Sequence, residues 1–561
     1  EQPSGSPRRS TRAKRQPVRL GFEKQHQFAA VAKWSGRMIK AYLASSVAQH
    51  DCNYIYALLM DNKYSLMENL MPNVMASSPC LLKTSANDPD MPTVQQDVAG
   101  PNKEEFLKAM RSEIKELEEH KTWKVVQRAD LPNEANVLPS TWVLLKLAKA
   151  IYGLVQSPFL WYSHLSAAFE AKGFTKSNHD PCMMFGRGMI VLIYVDDCLF
   201  FGPDRAKIDA FVNELEKGNK EMAGMALTRE DHDVYHFLGV SVDSNQKSGK
   251  VLLTQRGLIN KVLRTVVLDA SSKKKTPASS TLLGTDAEGD PFTGSWQYAS
   301  VVGMLLYVSS NSRPDIQFAV HQCARFTHCP KKSHGEAVKR ICRYLQGTKE
   351  KGLIFNLNVE MKLDCYVDAN FAGLWRYEND QDPVCVKSRT GYVITLAGCP
   401  CLWASKLQTE IALSTLEAEY IALSTAMRDL LPMRRMLLEI GTKMKLAFVE
   451  QGMLHSTVFE DNNGALGLPT SPKLTPRTRH ISSKYHFFKS HCGDARSGKA
   501  VIIQKISTDL QKADIYTKGN TFGICSWVGN NGGNDGKRKS NNIWMYAHVR
   551  APWYCRESPC H

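Results

Sequence analysis

Apolar positions recur at two different spacings along this chain, and the switches between them divide it. The first hundred residues show no clear period. Phe106, Met110, Ile114 and Leu117 then fall on one helical face with Glu, Lys and Arg on the other, which predicts a helix. The short runs beginning at Trp123 and Trp142 read as strands, and Trp161, Leu165 and Phe169 mark an aromatic-rich helix. Two apolar runs follow, Met189 to Val195 and Cys198 to Phe201, joined at Asp196-Asp197; this is the pattern of a β-hairpin. Residues 297–355 return to helical spacing. From 361 the pattern changes again. A strand, Leu363 to Val367, ends in Asp368, and a hairpin of Gly391 to Leu396 and Cys401 to Lys406 follows. A long helix starts near Ser414, a strand from Ser456 to Glu460 ends in Asp461, and a last helix carries Asp514. Strands followed by helices describe a multidomain α/β (α+β) protein whose final unit is a mixed sheet flanked by helices.

Length and composition refine this division. At 561 residues the chain has room for three or four units of about 150 residues each. Five segments are expected: 1–100, a disordered basic arm and linker; 101–270; 271–355; 356–520; and an unpatterned tail, 521–561. The arm holds Arg8, Arg9, Arg12, Lys14, Arg15 and Arg19 among Pro, Ser and Gly, and such a segment cannot bury a core. The formal charge of +16 points to a polyanionic partner, so Arg8, Arg9, Arg12, Lys14 and Arg15 are candidate nucleic-acid contacts. Lys339, Arg340 and Arg343 share one face of the segment His334 to Gln346; they either rest on phosphates or form a plain solvated face.

The fifteen cysteines lack CxxC pairing, and the Cys555, Cys560, His561 grouping is weak as a metal site, so buried free thiols in a reducing, intracellular setting are expected. The longest apolar run, Met189 to Val195, is too short to span a bilayer, so no membrane partner is expected. A start at Glu1 rather than methionine suggests a piece of a longer chain.

The acids at strand ends carry the candidate chemistry. Hydrolysis of a phosphodiester is a problem of charge developing on oxygen, which divalent cations relieve, and magnesium asks for several carboxylates on a rigid frame. Asp368 and Asp461 each close a strand, which places them at one sheet edge if the strands are neighbours. Two helix acids compete to join them. Ser414-Thr-Leu-Glu417 has capping-box spacing, which gives Glu417 a structural task; Glu419, one turn in, has none and is the expected ligand. Asp514 completes the quartet.

The segments Tyr-Val-Asp368-Ala-Asn, Ser-Thr-Leu-Glu-Ala-Glu419-Tyr-Ile-Ala-Leu, Glu-Asp461-Asn-Asn-Gly-Ala and Ala-Asp514-Ile-Tyr-Thr-Lys resemble the ribonuclease H domain of copia-type LTR retrotransposons. So does His480-Ile-Ser-Ser-Lys-Tyr-His-Phe-Phe-Lys, although Ser482 stands where that family usually has an acid. The hairpin Ile-Tyr-Val-Asp196-Asp197 resembles the palm motif of reverse transcriptases, with Asp196 the implied metal ligand and Asp197 beside it. Ala150-Ile-Tyr-Gly-Leu, Phe237-Leu-Gly-Val, Ser312-Arg-Pro-Asp315-Ile and Arg343-Tyr-Leu-Gln-Gly-Thr348 resemble the polymerase and its thumb or connection region. The arm resembles a linker that follows integrase.

The resemblance implies fingers and palm in 101–270, thumb or connection in 271–355 and ribonuclease H in 356–520. It also implies Mg2+ (Mn2+ as the alternative) and, as partners, an RNA–DNA hybrid, template RNA, primer and an integrase segment upstream. The implied location is cytoplasmic, in a virus-like particle, or nuclear. One departure stands out. Trp142-Val-Leu-Leu-Lys146 runs almost directly into Lys149-Ala-Ile-Tyr-Gly, so the stretch that carries the first palm aspartate in this family has no counterpart. Asp130 and Asp180 lie off the strands that could replace it. The expected polymerase is therefore truncated and inactive, beside a complete ribonuclease H. The rival expectations are a decayed, inactive copy and a non-catalytic nucleic-acid-binding protein.

Overall fold

The computed structural model describes residues 157–194, 197–217, 236–245, 250–268, 273–356, 362–375, 382–446, 454–469, 480–493 and 500–519. It also describes 123–125, 145–147, 228–229, 528–529 and 545–550, and a few single positions. Among the single positions, Glu104, Lys108, Ser112 and Lys115 are helical and exposed, as the polar face of the predicted first helix requires. The apolar positions of that helix, the basic arm with Arg8, Arg9, Arg12, Lys14 and Arg15, and Asp130, Asp196, Cys555 and Cys560 lie outside the described residues. Trp123–Val125 pairs antiparallel with Leu145–Leu147, and Trp142 lies outside the described residues.

The first unit comprises α1 (Ser157–Ala171), β1 (Met183–Gly186), β2 (Met189–Tyr194), β3 (Asp197–Phe201) and α2 (Arg205–Lys217). β2 and β3 form the predicted hairpin, closed at Tyr194↔Asp197, with Asp197 itself inside the strand. Both faces of the hairpin are buried, which is why its sequence reads as unbroken apolar runs. Val191, Ile193 and Phe200 pack against Trp161, Phe169 and Phe211 from the two helices, while Ile190, Leu192, Leu199 and Phe201 join the larger core behind.

The outer edge of β3 is paired by Met545–Arg550, in the register Val549↔Cys198 and Arg550↔Asp197. The tail expected to be unpatterned therefore supplies a strand. Six residues are too few for periodicity to announce it, and its partner lies more than 340 positions away. An unpaired β3 would leave a row of backbone donors and acceptors open.

Next come β4 (Val240–Asn245), β5 (Lys250–Thr254), α3 (Arg256–Val266), α4 (Tyr298–Asn311), α5 (Gln317–Ala324), α6 (Lys332–Thr348) and β6 (Gly352–Asn356). β5 lies between β4 and β6, both antiparallel to it, so one sheet crosses the boundary expected at residue 270. Ile259, Val262, Val301, Leu305, Val320, Ile341 and Leu345 form the core of the helices. The basic face expected on α6 is partly tied down. Arg340 donates to Thr276 Oγ1 at 2.8 Å, the Arg343 side chain is 14% exposed, and Lys339 pairs with Glu336 at 2.9 Å.

The last unit is built from β7 (Lys362–Asn370), β8 (Arg389–Leu396), β9 (Cys399–Leu407), α7 (Thr415–Met444), β10 (His455–Glu460), the short α8 (Asn463–Gly467), β11 (Cys492–Gly493) and β12 (Val501–Lys505). The sheet order is β9-β8-β7-β10-β12-β11, with β7–β10 and β10–β12 parallel and β7–β8–β9 antiparallel, so the mixed sheet is as predicted. Leu423, Met427 and Leu430 of α7 share a core with Leu363, Cys365 and Val367 of β7. Trp403 of β9 donates through Nε1 to the Ser309 carbonyl of α4 at 3.0 Å, which ties the sheet to the helical unit. Asp514 sits on a 3-10 turn, Lys512–Tyr516, rather than on the predicted helix. No helix among the described residues is long and apolar enough to cross a membrane.

The Ser312-Arg-Pro-Asp315 motif makes a buried ion pair. Arg313 donates from Nε and Nη2 to Asp315 at 2.9 and 2.6 Å, and from Nη1 to the Thr348 carbonyl at 2.9 Å, while Tyr344 donates to Asp315 at 2.7 Å. Burial alone would raise the Asp315 carboxyl, but the Arg313 guanidinium outweighs it and holds the group below the usual carboxylate range. Removing one partner strands the other charge in the core. Asp315→Asn is therefore expected to cost about 3–5 kcal/mol of stability, read as a lower denaturant midpoint with an unchanged slope.

Candidate metal centre

Parallel pairing sets the positions of two acids. β7 and β10 are in register through Tyr366↔Phe459, and those two rings stack 4.7 Å apart, so Asp368 and Asp461, each two residues further on, emerge at the same edge. α7 brings the third. Its N-cap Ser414 accepts from the Glu417 amide, and Glu417 reaches back to accept from the Leu413 amide at 2.8 Å, one residue beyond the capping-box target. Glu417 also contacts His480 Nε2 at 3.2 Å. With Glu417 occupied at the cap, Glu419 turns toward the strands, where the Ala369 amide bonds to it.

Ligand oxygens of Asp368, Glu419 and Asp461 all lie within 4.8 Å of one another, the only such acidic group among the described residues. Asp368 accepts from the Thr517 hydroxyl and Asp461 accepts from Thr508 Oγ1 at 2.9 Å. Glu419 is 8% exposed, and its Oε2 has no hydrogen-bond partner among the described residues. Asp514, the fourth predicted acid, stands beside this group rather than within it, and its Oδ1 accepts from Lys518 Nζ at 2.9 Å.

The turn carrying Asp514 approaches the sheet at Gly391, which pairs with Asp368. A Cβ at 391 would lie 2.6 Å from Thr517 Cγ2 and 2.9 Å from Tyr516 Cβ. Only glycine lets the turn come this close.

Crowding leaves its mark on the charges. Burial, with Asp514 and Asp461 adding to it and Thr517 and Lys518 opposing, pushes Asp368 up to about 6. Burial together with Glu460, Asp368 and Asp461 pushes Glu419 up to about 10. Glu460 was not among the sequence candidates. It is fully buried at the end of β10, accepts from the Asn462 amide at 3.1 Å through Oε1, and its Oε2 has no partner among the described residues. Burial and then Asp461 and Asp368 hold its carboxyl well above the usual range. The signal was in the sequence: Ser456, Val458 and Glu460 alternate onto the buried face, so an acid at the third of these positions points inward.

Four acids confined in so little space suit a divalent cation, because hard oxygen donors with an orphaned buried oxygen need a positive charge to complete them. Among the described residues no equivalent group forms at the hairpin. Asp197 is buried in β3, and Asp196 lies outside the described residues. Asp180 is fully buried, accepts from the Cys182 amide at 2.9 Å and is pushed by burial up to about 7.

Comparison with known proteins adds the family. The family described as reverse transcriptase (RNA-dependent DNA polymerase) matches residues 143–280. The retrovirus-related Pol polyprotein from transposon TNT 1-94 of Nicotiana tabacum is 32% identical over 408 residues, 70% of this chain and 28% of that protein. The corresponding polyprotein from transposon RE2 of Arabidopsis thaliana is 31% identical over 377 residues, 66% of this chain and 24% of that protein. The putative transposon Ty5-1 protein of Saccharomyces cerevisiae is 27% identical over 290 residues, 51% of this chain and 89% of that protein. The chain thus spans about a quarter of the length of the plant polyproteins it matches. No solved structure matches. A reverse-transcriptase segment inside a longer similarity to transposon polyproteins, on a mixed α+β fold, places the chain in the family of copia-type retrotransposon Pol polyproteins.

Proposed function

We propose that the acidic centre is a metal-dependent ribonuclease H site that cleaves the RNA strand of an RNA–DNA hybrid, with Mg2+ as its ion and Mn2+ as a substitute. The observation that carries this reading is the meeting of Asp368, Glu419 and Asp461 within 4.8 Å, with an unpartnered buried oxygen on Glu419. These three residues would hold the metal. When bound, such ions lower the pKa of an attacking water and neutralise the leaving oxygen. Thr517 and Thr508 fix the rotamers of Asp368 and Asp461, and the Ala369 amide anchors Glu419. Lys518 neutralises Asp514 at the rim, which lets a fourth acid stand close without adding its full charge. Hybrid recognition would rest on minor-groove shape and 2′-hydroxyls rather than base sequence.

In this reading 356–520 is the ribonuclease H unit, 271–355 the thumb or connection, 101–270 a truncated fingers and palm, and 1–100 a basic arm. Template RNA, primer and an upstream integrase segment are the proposed partners, and the basic arm is the proposed nucleic-acid contact. The polymerase portion is proposed to be inactive. Leu147 and Ala148 alone separate Lys146 from Lys149, where the family carries its first palm aspartate. The strand paired to the outer edge of β3 is Met545–Arg550, which contains neither Asp nor Glu.

Asp368→Asn should reduce Mg2+-dependent cleavage of a labelled hybrid by on the order of a thousandfold or more, while hybrid affinity is retained. Full activity in that variant would refute the site, and salt-sensitive binding without cleavage by the unaltered chain would favour a non-catalytic binding protein. Primer extension on an RNA template should yield no dNTP incorporation; processive extension would overturn the reading of the palm.

Stability should also follow pH in a fixed direction. Asp368 and Glu419 keep their protons in the folded chain to about 6 and about 10, whereas the unfolded chain releases them near pH 4. Unfolding therefore releases protons across this window, and stability falls as pH rises through it. In chelator, the urea midpoint should drop between pH 5 and pH 8, and Mg2+ or Mn2+ should restore it. A midpoint that rises or stays flat would contradict the crowded-carboxylate description.

A further inference from the structure

The cationic face expected along α6 serves as the seat of a second basic row, Lys273, Lys274 and Lys275. Residues 273–276 run along that helix in the opposite direction. Lys273 lies against Gly347, where an added Cβ would stand 3.4 Å from both its Cβ and its Cδ. The Lys274 amide donates to the Arg343 carbonyl at 3.4 Å, and Thr276 Oγ1 accepts from Arg340 Nη2 at 2.8 Å. From 347 back to 340 the helix advances about 10 Å, and three extended residues span about the same length. The segment is therefore extended along the helix, with Lys273, Lys274 and Lys275 all exposed.

Their charges are not spent within the fold. Residues 273–351 contain twelve Lys and Arg against six Asp and Glu, so this unit is cationic. Glu336 faces Lys339 and Arg343, Glu350 pairs with Arg256 at 2.9 Å, and Asp315 is buried with Arg313. No carboxylate pairs with Lys273, Lys274 or Lys275 among the described residues. Lys349, two residues beyond Gly347, is exposed as well. Neighbouring ammonium groups repel one another, and a polyanion offsets the cost of holding them side by side. Lys273 and Lys275 stand about 7 Å apart along the segment, the advance of a nucleic-acid strand over about two nucleotides.

The same segment leads to the acidic centre. Beyond Thr276 it reaches Gly519, where an added Cβ would meet the Ser279 carbonyl at 2.7 Å. Gly519 follows Lys518, whose ammonium group holds Asp514 at the rim of that centre. Ser279 is four residues beyond Lys275, so their Cα atoms lie within about 14 Å of each other.

We propose that Lys273, Lys274 and Lys275 form a track for the phosphate backbone of nucleic acid, gripping a strand a few nucleotides from the acidic centre. The track stands on the lysines and their seat on α6; its service to the acidic centre rests on the nuclease reading above. Arg340 and Arg343 position the track rather than touch the backbone themselves. Ammonium groups meet phosphates as point charges and read no base, so the grip is indifferent to sequence.

The test follows RNA–DNA hybrid affinity against salt in the full chain carrying Asp368→Asn, so that cleavage does not obscure binding. Lys273→Ala, Lys274→Ala and Lys275→Ala combined should lower the log–log salt slope by about two to three. Affinity at about 0.1 M salt should fall by on the order of tenfold to a hundredfold, equally for hybrids of unrelated sequence. Lys273→Arg, Lys274→Arg and Lys275→Arg combined should keep both the slope and the affinity. All three side chains are exposed, so an unchanged melting temperature separates lost contact from misfolding. Unchanged slope and affinity in the alanine variant would overturn the proposal and leave the lysines as a solvated face or a protein contact. So would an arginine variant as weak as the alanine one. With Asp368 restored, the alanine variant should raise KM for hybrid cleavage several-fold and alter kcat less. An unaltered KM beside weakened binding would overturn the placement next to the acidic centre. A cleavage-negative unaltered chain would remove the nuclease reading without touching the salt slope.

Discussion

Carboxylates gathered at the end of a mixed sheet repel one another, and the parallel pairing of β7 with β10 leaves Asp368 and Asp461 no way to separate. Most of the surrounding structure answers that constraint. Two threonine hydroxyls and one backbone amide hold the acids in place, and Lys518 offsets Asp514 at the rim. Glu419 and Glu460 keep raised proton affinities because burial, and then the neighbouring carboxylates, disfavour their charged forms. The same low-dielectric enclosure that makes the empty arrangement costly makes it receptive to a cation.

Local sequence was a good guide wherever the structure is local. The hairpin of Met189–Tyr194 and Asp197–Phe201, the helix starting after Ser414 and the engagement of Glu417 at its N-terminus all follow from neighbours a few residues apart, and each is found. Strand-closing acids were legible for the same reason, since turn chemistry and sheet edges are written in short segments. Distant pairings were not. The boundary at 270 cut through a sheet because β5 and β6 lie about a hundred residues apart. The strand Met545–Arg550 was hidden because six residues without a nearby partner carry too little periodicity. The sequence predicts a helix at Asp514, whereas the turn that approaches Gly391 holds it in a 3-10 conformation. An arginine at a strand start reads as surface, and only α5 folding over Arg389 makes it buried.

The two acidic regions of the chain differ in what stands next to them. The strand bearing Asp197 meets a partner of neutral and basic residues from the far end of the chain, whereas the strand bearing Asp368 meets another that ends in an acid. Metal chemistry needs carboxylates from more than one element, because one strand cannot surround an ion. The second region meets that requirement, and its helical neighbour reinforces it through Trp403 and Arg389.

Gly391 has a consequence for how this unit tolerates change. The missing side chain is the clearance into which Tyr516 and Thr517 fit, so position 391 is constrained by residues more than 120 places downstream. A chain cut before that turn would accept alanine at 391 without strain, while the intact chain would have to move the turn and, with it, the hydroxyl that holds Asp368. Tolerance at this single position is thus an indirect gauge of whether the end of the sheet unit has docked. It can be read by substitution alone, without any assay of metal or nucleic acid.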